Sequence, residues 1–144
     1  MLKRELNSSK NSQEPLTPLG RLVLVVDDSD VDRKLIGRLL KKSNFRLEFA
    51  EDGVQGLKLA RDLKPDLILL DGVMPGLSGA EVCQMLKKDN ELKKIPVIFL
   101  TGMDTPGYIV DCYNIGAEHY LNKPINSREL ISQIETTLKD SARP

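Results

Sequence analysis

The sequence predicts an α/β domain: a doubly wound, five-stranded parallel sheet with helices on both faces. Two observations predict it. The runs Leu22–Val26, Asp66–Leu70 and Pro96–Leu100 are almost wholly apolar, as strands covered on both faces are. Around them, longer segments carry apolar residues at helical spacing, so strand and helix alternate about five times. The expected strand order is 2-1-3-4-5, with the second and fifth strands at the edges.

Residues 1–20 are polar, interrupted by Pro15 and Pro18, and read as a flexible tail or linker. Leu22–Val26 is the first central strand and ends on Asp27-Asp28. Ser29 or Asp30 can cap the helix that follows. In it, Val31, Leu35 and Leu39 with Ile36 and Leu40 form the predicted inner face, and Arg33, Lys34, Arg38 and Lys41 the outer one. Phe45-Arg46-Leu47-Glu48-Phe49 alternates strictly, as an edge strand with one wetter face does. A helix over Gly53–Asp62 should turn Val54, Leu57 and Ala60 inward, and Lys64-Pro65 stops it.

Asp66–Leu70 is the second fully apolar strand. It ends at Asp71, where Gly72, Pro75 and Gly76 force the chain to turn. Ser78 can cap a helix whose core residues are Ala80, Val82, Cys83, Met85 and Leu86. A charged loop leads to Pro96–Leu100, with Pro96 tolerated because it opens the strand. Thr101-Gly102 ends that strand, and a short helix follows, with Thr105 as its cap, Pro106 in its first turn and Gly116 closing it. Cys112 and Ile115 are core by spacing. His119–Asn122 is a short last strand, broken by Lys123-Pro124. Ser127 with Glu129-Leu130 opens a final amphipathic helix through Ile131, Ile134 and Leu138. The domain is expected over 21–140, with 141–144 as a C-terminal tail too short for an output domain.

Composition narrows the function classes. In 144 residues, 40% hydrophobic and 29% charged, 21 basic residues balance 21 acidic ones. That balance gives no electrostatic footprint for direct nucleic-acid or membrane binding. No apolar run is long enough to span a bilayer, and no apolar stretch follows the first charged residues as in a secretory signal. Cys83 and Cys112 lack metal-ligand spacing and read as free buried thiols of a reducing, cytoplasmic compartment.

In a parallel sheet every C-terminal strand end lies along one rim. The strands deliver Asp27 and Asp28, Asp71, Thr101 and Lys123 to it. Clustered carboxylates repel unless a cation neutralises them, and an all-oxygen set suits Mg²⁺, with Mn²⁺ an acceptable substitute. Beside such an ion Asp71 is placed to attack a phosphoryl group and become an acyl phosphate. Lys123 can pair with that group, and Thr101 can turn its hydroxyl to it. A calcium loop starting at Asp27 fails, because Arg33 and Leu39 stand where its glycine and bidentate glutamate belong. An aspartyl phosphatase of the haloacid dehalogenase type needs Thr or Val where this chain has Asp32.

Val25-Val26-Asp27-Asp28, Leu69-Leu70-Asp71-Gly72-Val73-Met74-Pro75-Gly76, Leu100-Thr101-Gly102 and Tyr120-Leu121-Asn122-Lys123-Pro124 together resemble the response regulator receiver domain of two-component signalling. The resemblance runs from about Arg21 to Lys139 and implies the flavodoxin-like fold. It implies Asp71 as phosphoacceptor and Asp27, Asp28, Asp71 and the Val73 carbonyl as Mg²⁺ ligands. Thr101 and Tyr120 match its switch pair, and Lys123 its cation, usually joined to the proline by a cis peptide. The phosphodonor it implies is a phosphohistidine on a histidine kinase or phosphotransfer protein, and the output an unknown downstream protein or domain. The chain is then a phosphoprotein switch rather than an enzyme, monomeric or dimerising on phosphorylation. A receiver-like interaction module that is never phosphorylated is the alternative.

Two departures matter. The positions that tune acyl-phosphate lifetime in this family hold Val73 and Met103, both apolar, so slow self-dephosphorylation is expected. Glu118-His119 and Gln133 replace the acidic pair and arginine with which receivers of winged-helix transcription factors build a symmetric dimer.

Overall fold

Successive residues of a strand face opposite sides of a sheet, so a continuous apolar run feeds two cores at once. The computed structural model, which describes residues 20–141, shows this arrangement. Strands β1 (Leu22–Val26), β2 (Arg46–Ala50), β3 (Leu67–Leu70), β4 (Val97–Thr101) and β5 (His119–Asn122) alternate with helices α1 (Asp30–Leu39), α2 (Gly53–Leu63), α3 (Gly79–Lys88), α4 (Pro106–Ile115) and α5 (Ser127–Ser141). All pairings are parallel and the order is β2-β1-β3-β4-β5, as predicted.

Leu24, Val26, Ile68, Leu70, Val97 and Phe99 face a core closed by α2, α3 and α4. The intervening Val23, Val25, Leu67, Leu69, Ile98 and Leu100 face a second core under α1 and α5, filled by Ile36, Leu40, Leu130, Ile134 and Leu138. Each such side chain withdrawn from water contributes about 1.5–3 kcal/mol, so both layers are strongly held to the sheet.

Two caps fall where the sequence placed candidates, while Thr105, expected to cap α4, makes no side-chain cap bond. Ser29 accepts from Asp32 N–H, and Ser78 with Glu81 forms a reciprocal capping box. At the start of α5, the Asn126 carboxamide accepts from Glu129 N–H at 2.9 Å, a cap the sequence reading did not assign.

The faces of three helices differ from expectation. Val31 is 73% exposed and Leu35 is also exposed, because α1 rests on the Ile36 and Leu40 row, about 100° around the helix from Leu35. Arg33 is not on the wet side: it reaches under the turn and donates to the Asp27 carbonyl at 2.7 Å. On α2 Val54 is 68% exposed, because Gly53, Gly56, Leu57 and Ala60 take the inner face. A Cβ on Gly56 would stand 2.9 Å from both γ-methyls of Val26. The helix lies close to the sheet on its glycines, and Val54 is rotated out. On α3 Met85 is exposed beside the buried Val82, Cys83 and Leu86. Ile115 is only partly buried against the core. The edge strand starts one residue late, with Phe45 buried ahead of it and Phe49 half out against Gly37.

The segments read as tails lie outside the described residues except at their inner ends. Gly20 donates to the Asn44 carbonyl at 2.9 Å, and α5 continues through Ser141. Among the described residues no helix is long and apolar enough to cross a membrane.

Candidate functional site

The hydrogen-bond ladder carries on past the ends of β1 and β3. Asp27 N–H donates to the Ala50 carbonyl at 3.1 Å, and Asp71 N–H to the Val26 carbonyl at 2.9 Å. Two carboxylates are therefore aimed from adjacent strands by a backbone that is itself part of the sheet. Asp27, only 2% exposed, is fixed further by Ser29 N–H at 2.9 Å. Asp71 is 7% exposed and accepts from Val73 N–H at 3.3 Å, while Asp28 is exposed at the rim. One carboxylate oxygen from each of Asp27, Asp28 and Asp71 lies within 4.8 Å of the other two.

Lys123 approaches from the end of β5, across β4. Its ammonium is 2.9 Å from Asp27 Oδ2, 2.7 Å from Asp32 Oδ2 and 3.7 Å from Asp71 Oδ2. The Lys123–Pro124 peptide is cis. Burial alone would lower the lysine pKa, but the bonds to Asp27 and Asp32 and the charge of Asp71 outweigh it, and the ammonium stays charged. Asp32 is a member of the site that the sequence reading left out. Its only signal is its place on the first turn of the helix after Asp27, which points it back at the strand ends.

One ammonium among four carboxylates leaves a surplus of negative charge. The Asp71 carboxyl is pushed up to about 6, by burial first and then by the Asp27 charge, with Lys123 and Val73 N–H opposing. This donor set fits a hard divalent cation such as Mg²⁺: three oxygens converge, and the lysine faces Asp27, Asp32 and Asp71 without turning to Asp28.

Thr101 closes the other side. It is 1% exposed, and its hydroxyl accepts from Met103 N–H at 3.3 Å. Tyr120 sits behind it with its ring stacked on Phe99, centroids 6.3 Å apart, and its hydroxyl is buried without a partner. Burial pushes that phenol up to about 12. Val73 is 55% exposed and Met103 also lies at the surface, so two apolar side chains flank the opening.

A second residue absent from the sequence reading is Tyr108, on the first turn of α4. Its ring meets Tyr120 edge-on at 6.2 Å, and its hydroxyl lies directly over Gly72. A Cβ on Gly72 would overlap that hydroxyl and would stand 3.3 Å from Thr101 Oγ1. The Gly after Asp71 is therefore more than a turn residue. It leaves the space into which Tyr108 reaches.

Comparison with known proteins agrees with this geometry. The family model for the response regulator receiver domain matches residues 23–135. Protein PilH of Pseudomonas aeruginosa is 39% identical over 81% of this chain and 96% of its own length. The phosphate regulon transcriptional regulatory protein PhoB of the same organism is 35% identical over 84% of this chain, which spans only 53% of that relative. Among solved structures, the receiver domain of a P. aeruginosa sensor histidine kinase, with a magnesium ion coordinated in its active-site cleft, superimposes with a TM-score of 0.77. It is 27% identical over 83% of this chain and 98% of that one. With fold, match and acidic pocket in agreement, this chain belongs to the family of response regulator receiver domains.

Proposed function

We propose that the chain is a phosphorylation switch in which Asp71 accepts a phosphoryl group. The observation that carries this reading is the convergence of Asp27, Asp28 and Asp71 oxygens within 4.8 Å, with the Lys123 ammonium 3.7 Å from the Asp71 carboxylate. Receiver domains act as signalling switches that interact with histidine kinases and output domains, rather than as metabolic enzymes.

In the proposed reaction an Asp71 carboxylate oxygen attacks the phosphorus of a phosphohistidine on a kinase or phosphotransfer protein. The new O–P bond replaces the N–P bond, and the leaving imidazole keeps its electron pair and takes up a proton. Asp27 and Asp28, with Asp71 and the Val73 carbonyl, would hold Mg²⁺ or Mn²⁺. When bound, the ion supplies positive charge that offsets the approach of one anion to another. Lys123 supplies a second cation and orients the phosphoryl oxygens, and Thr101 donates its hydroxyl to one of them. Tyr120 follows Thr101, and the surface of α4 and β5 changes for a partner or output domain. The functional unit is 21–140, acting in the cytoplasm, where Cys83 and Cys112 remain free and buried thiols. Val73 and Met103 offer no hydrogen bond to an attacking water, so the acyl phosphate is long-lived.

The direct test is intact-mass measurement after incubation with Mg²⁺ and acetyl phosphate. A gain of one phosphoryl group, absent in Asp71→Asn, is expected. An unmodified wild-type protein would overturn the reading. Replacing Val73 by Asn or Met103 by Glu should shorten the phosphorylated lifetime, and equal decay rates would remove the lifetime argument alone.

A further inference from the structure

Buried hydroxyls nearly always find a hydrogen-bond partner, and one that has none is costly to keep. Among the described residues three break this rule, and two of them, Tyr108 and Tyr120, meet edge to face beside the proposed phosphorylation site. Tyr108 is the closer to the site. Its hydroxyl occupies the space over Gly72, the residue that follows Asp71, and Thr101 Oγ1 borders that same space. The Cys112 thiol lies nearby on the next turn of α4 but does not reach hydrogen-bond geometry. A donor is thus held ready at the edge of the place where a phosphoryl group on Asp71 would lie.

We propose that Tyr108 is a second hydroxyl ligand of the phosphorylated state, donating a hydrogen bond from its phenol directly to a phosphoryl oxygen on Asp71 beside Thr101. This assignment rests on Asp71 being the phosphoacceptor. It gives α4 its own contact to the modification, separate from the one Thr101 makes from β4. It also explains the pairing of Gly72 with Tyr108: a Cβ at 72 would overlap the phenol oxygen and displace it from this space. Before modification the hydroxyl is unpartnered. The phosphoryl oxygens, strong acceptors carrying charge, satisfy it.

The test uses Tyr108→Phe, which removes one oxygen and keeps the ring that packs on Tyr120. Beryllofluoride with Mg²⁺ serves as phosphoryl mimic, and binding is measured by titration calorimetry. The variant should bind the mimic about tenfold or more weakly, the size of one hydrogen bond to a charged acceptor. Its affinity for Mg²⁺ alone should stay at the wild-type value, whereas a merely structural defect would move both. The same loss should persist in a Thr101→Ala background. If it disappears there, the hydroxyl serves Thr101 and direct donation is overturned. Equal mimic affinity in wild type and Tyr108→Phe also overturns it while leaving Asp71 in place as acceptor. A wild type that ignores the mimic removes the phosphoacceptor reading and this inference with it.

Discussion

Helices α3 and α4 are neighbours on one face of the sheet and are equally long, at ten residues each, yet they are anchored very differently. Helix α3 begins in a full capping box, buries Gly79, Val82, Cys83 and Leu86, and ends in Lys87 and Lys88, cations where the helix dipole favours them. Its first residue is also tied to the site, since Gly79 N–H donates to the Gly72 carbonyl at 3.0 Å. Helix α4 begins at Thr105, whose side chain makes no cap hydrogen bond. It buries only Cys112 fully and leaves Val110 and Tyr113 exposed. Both flank Asp71, but one is fastened and the other leans. A switch needs this asymmetry, because a modification can displace only an element whose competing arrangement is close in free energy.

Mutations can break this contrast in order of size. Leu86→Ala, in the fastened helix, should cost about 2–5 kcal/mol in urea denaturation. The exposed Val110→Ala in α4 should stay within about 0.5 kcal/mol. Comparable losses would mean that the two helices are equally anchored.

Next in size is the charge between them. In metal-free protein the Asp71 carboxyl, pushed up to about 6, has a folded pKa above its unfolded value near 4. Its contribution to stability is then fully present below about pH 4 and is lost as pH rises through about 6. In EDTA, Asp71→Asn should therefore be more stable than wild type at pH 7.5, by about 2–3 kcal/mol. The difference should vanish by about pH 4. Thermal melts across this range check it, and a pH-independent difference would mean that the carboxylate is not strained by its surroundings.

Smaller effects sharpen the picture at the helix ends. Ser78→Ala should cost about 1 kcal/mol, the usual value of a cap. Thr105→Ala should cost far less, since there is no cap bond to lose. Amide hydrogen exchange should show the α4 backbone opening more readily than that of α3.

Much of this was legible in the sequence because the relevant signals are local. The three apolar runs mark buried strands, and a parallel sheet collects whatever follows them. Asp27, Asp28, Asp71, Thr101 and Lys123 could thus be placed on one rim before any coordinates. Ser29 and Ser78 announce helix starts in the same way. What the sequence hid depends on how helices sit on the sheet. Val54 has the spacing of a core residue, but two glycines let α2 approach on another face and turn it to water. Asp32 reads as one more acidic residue at a helix start until Lys123 arrives from 91 residues away. Tyr108 reads as an ordinary helix residue, because nothing local connects it to Gly72. Their partners are distant in the chain, and spacing carries no information about them.

The contacting rings of Phe99, Tyr120 and Tyr108 have a practical consequence. The chain contains no tryptophan and only three tyrosines, so its near-ultraviolet absorption and emission come almost wholly from the phenols. Two of the three sit edge to face, and the hydroxyl of one lies over Gly72, next to Asp71 in the chain. The unlabelled protein thus carries its own optical probe, and stopped-flow tyrosine emission can time the proposed phosphorylation of Asp71 without a dye.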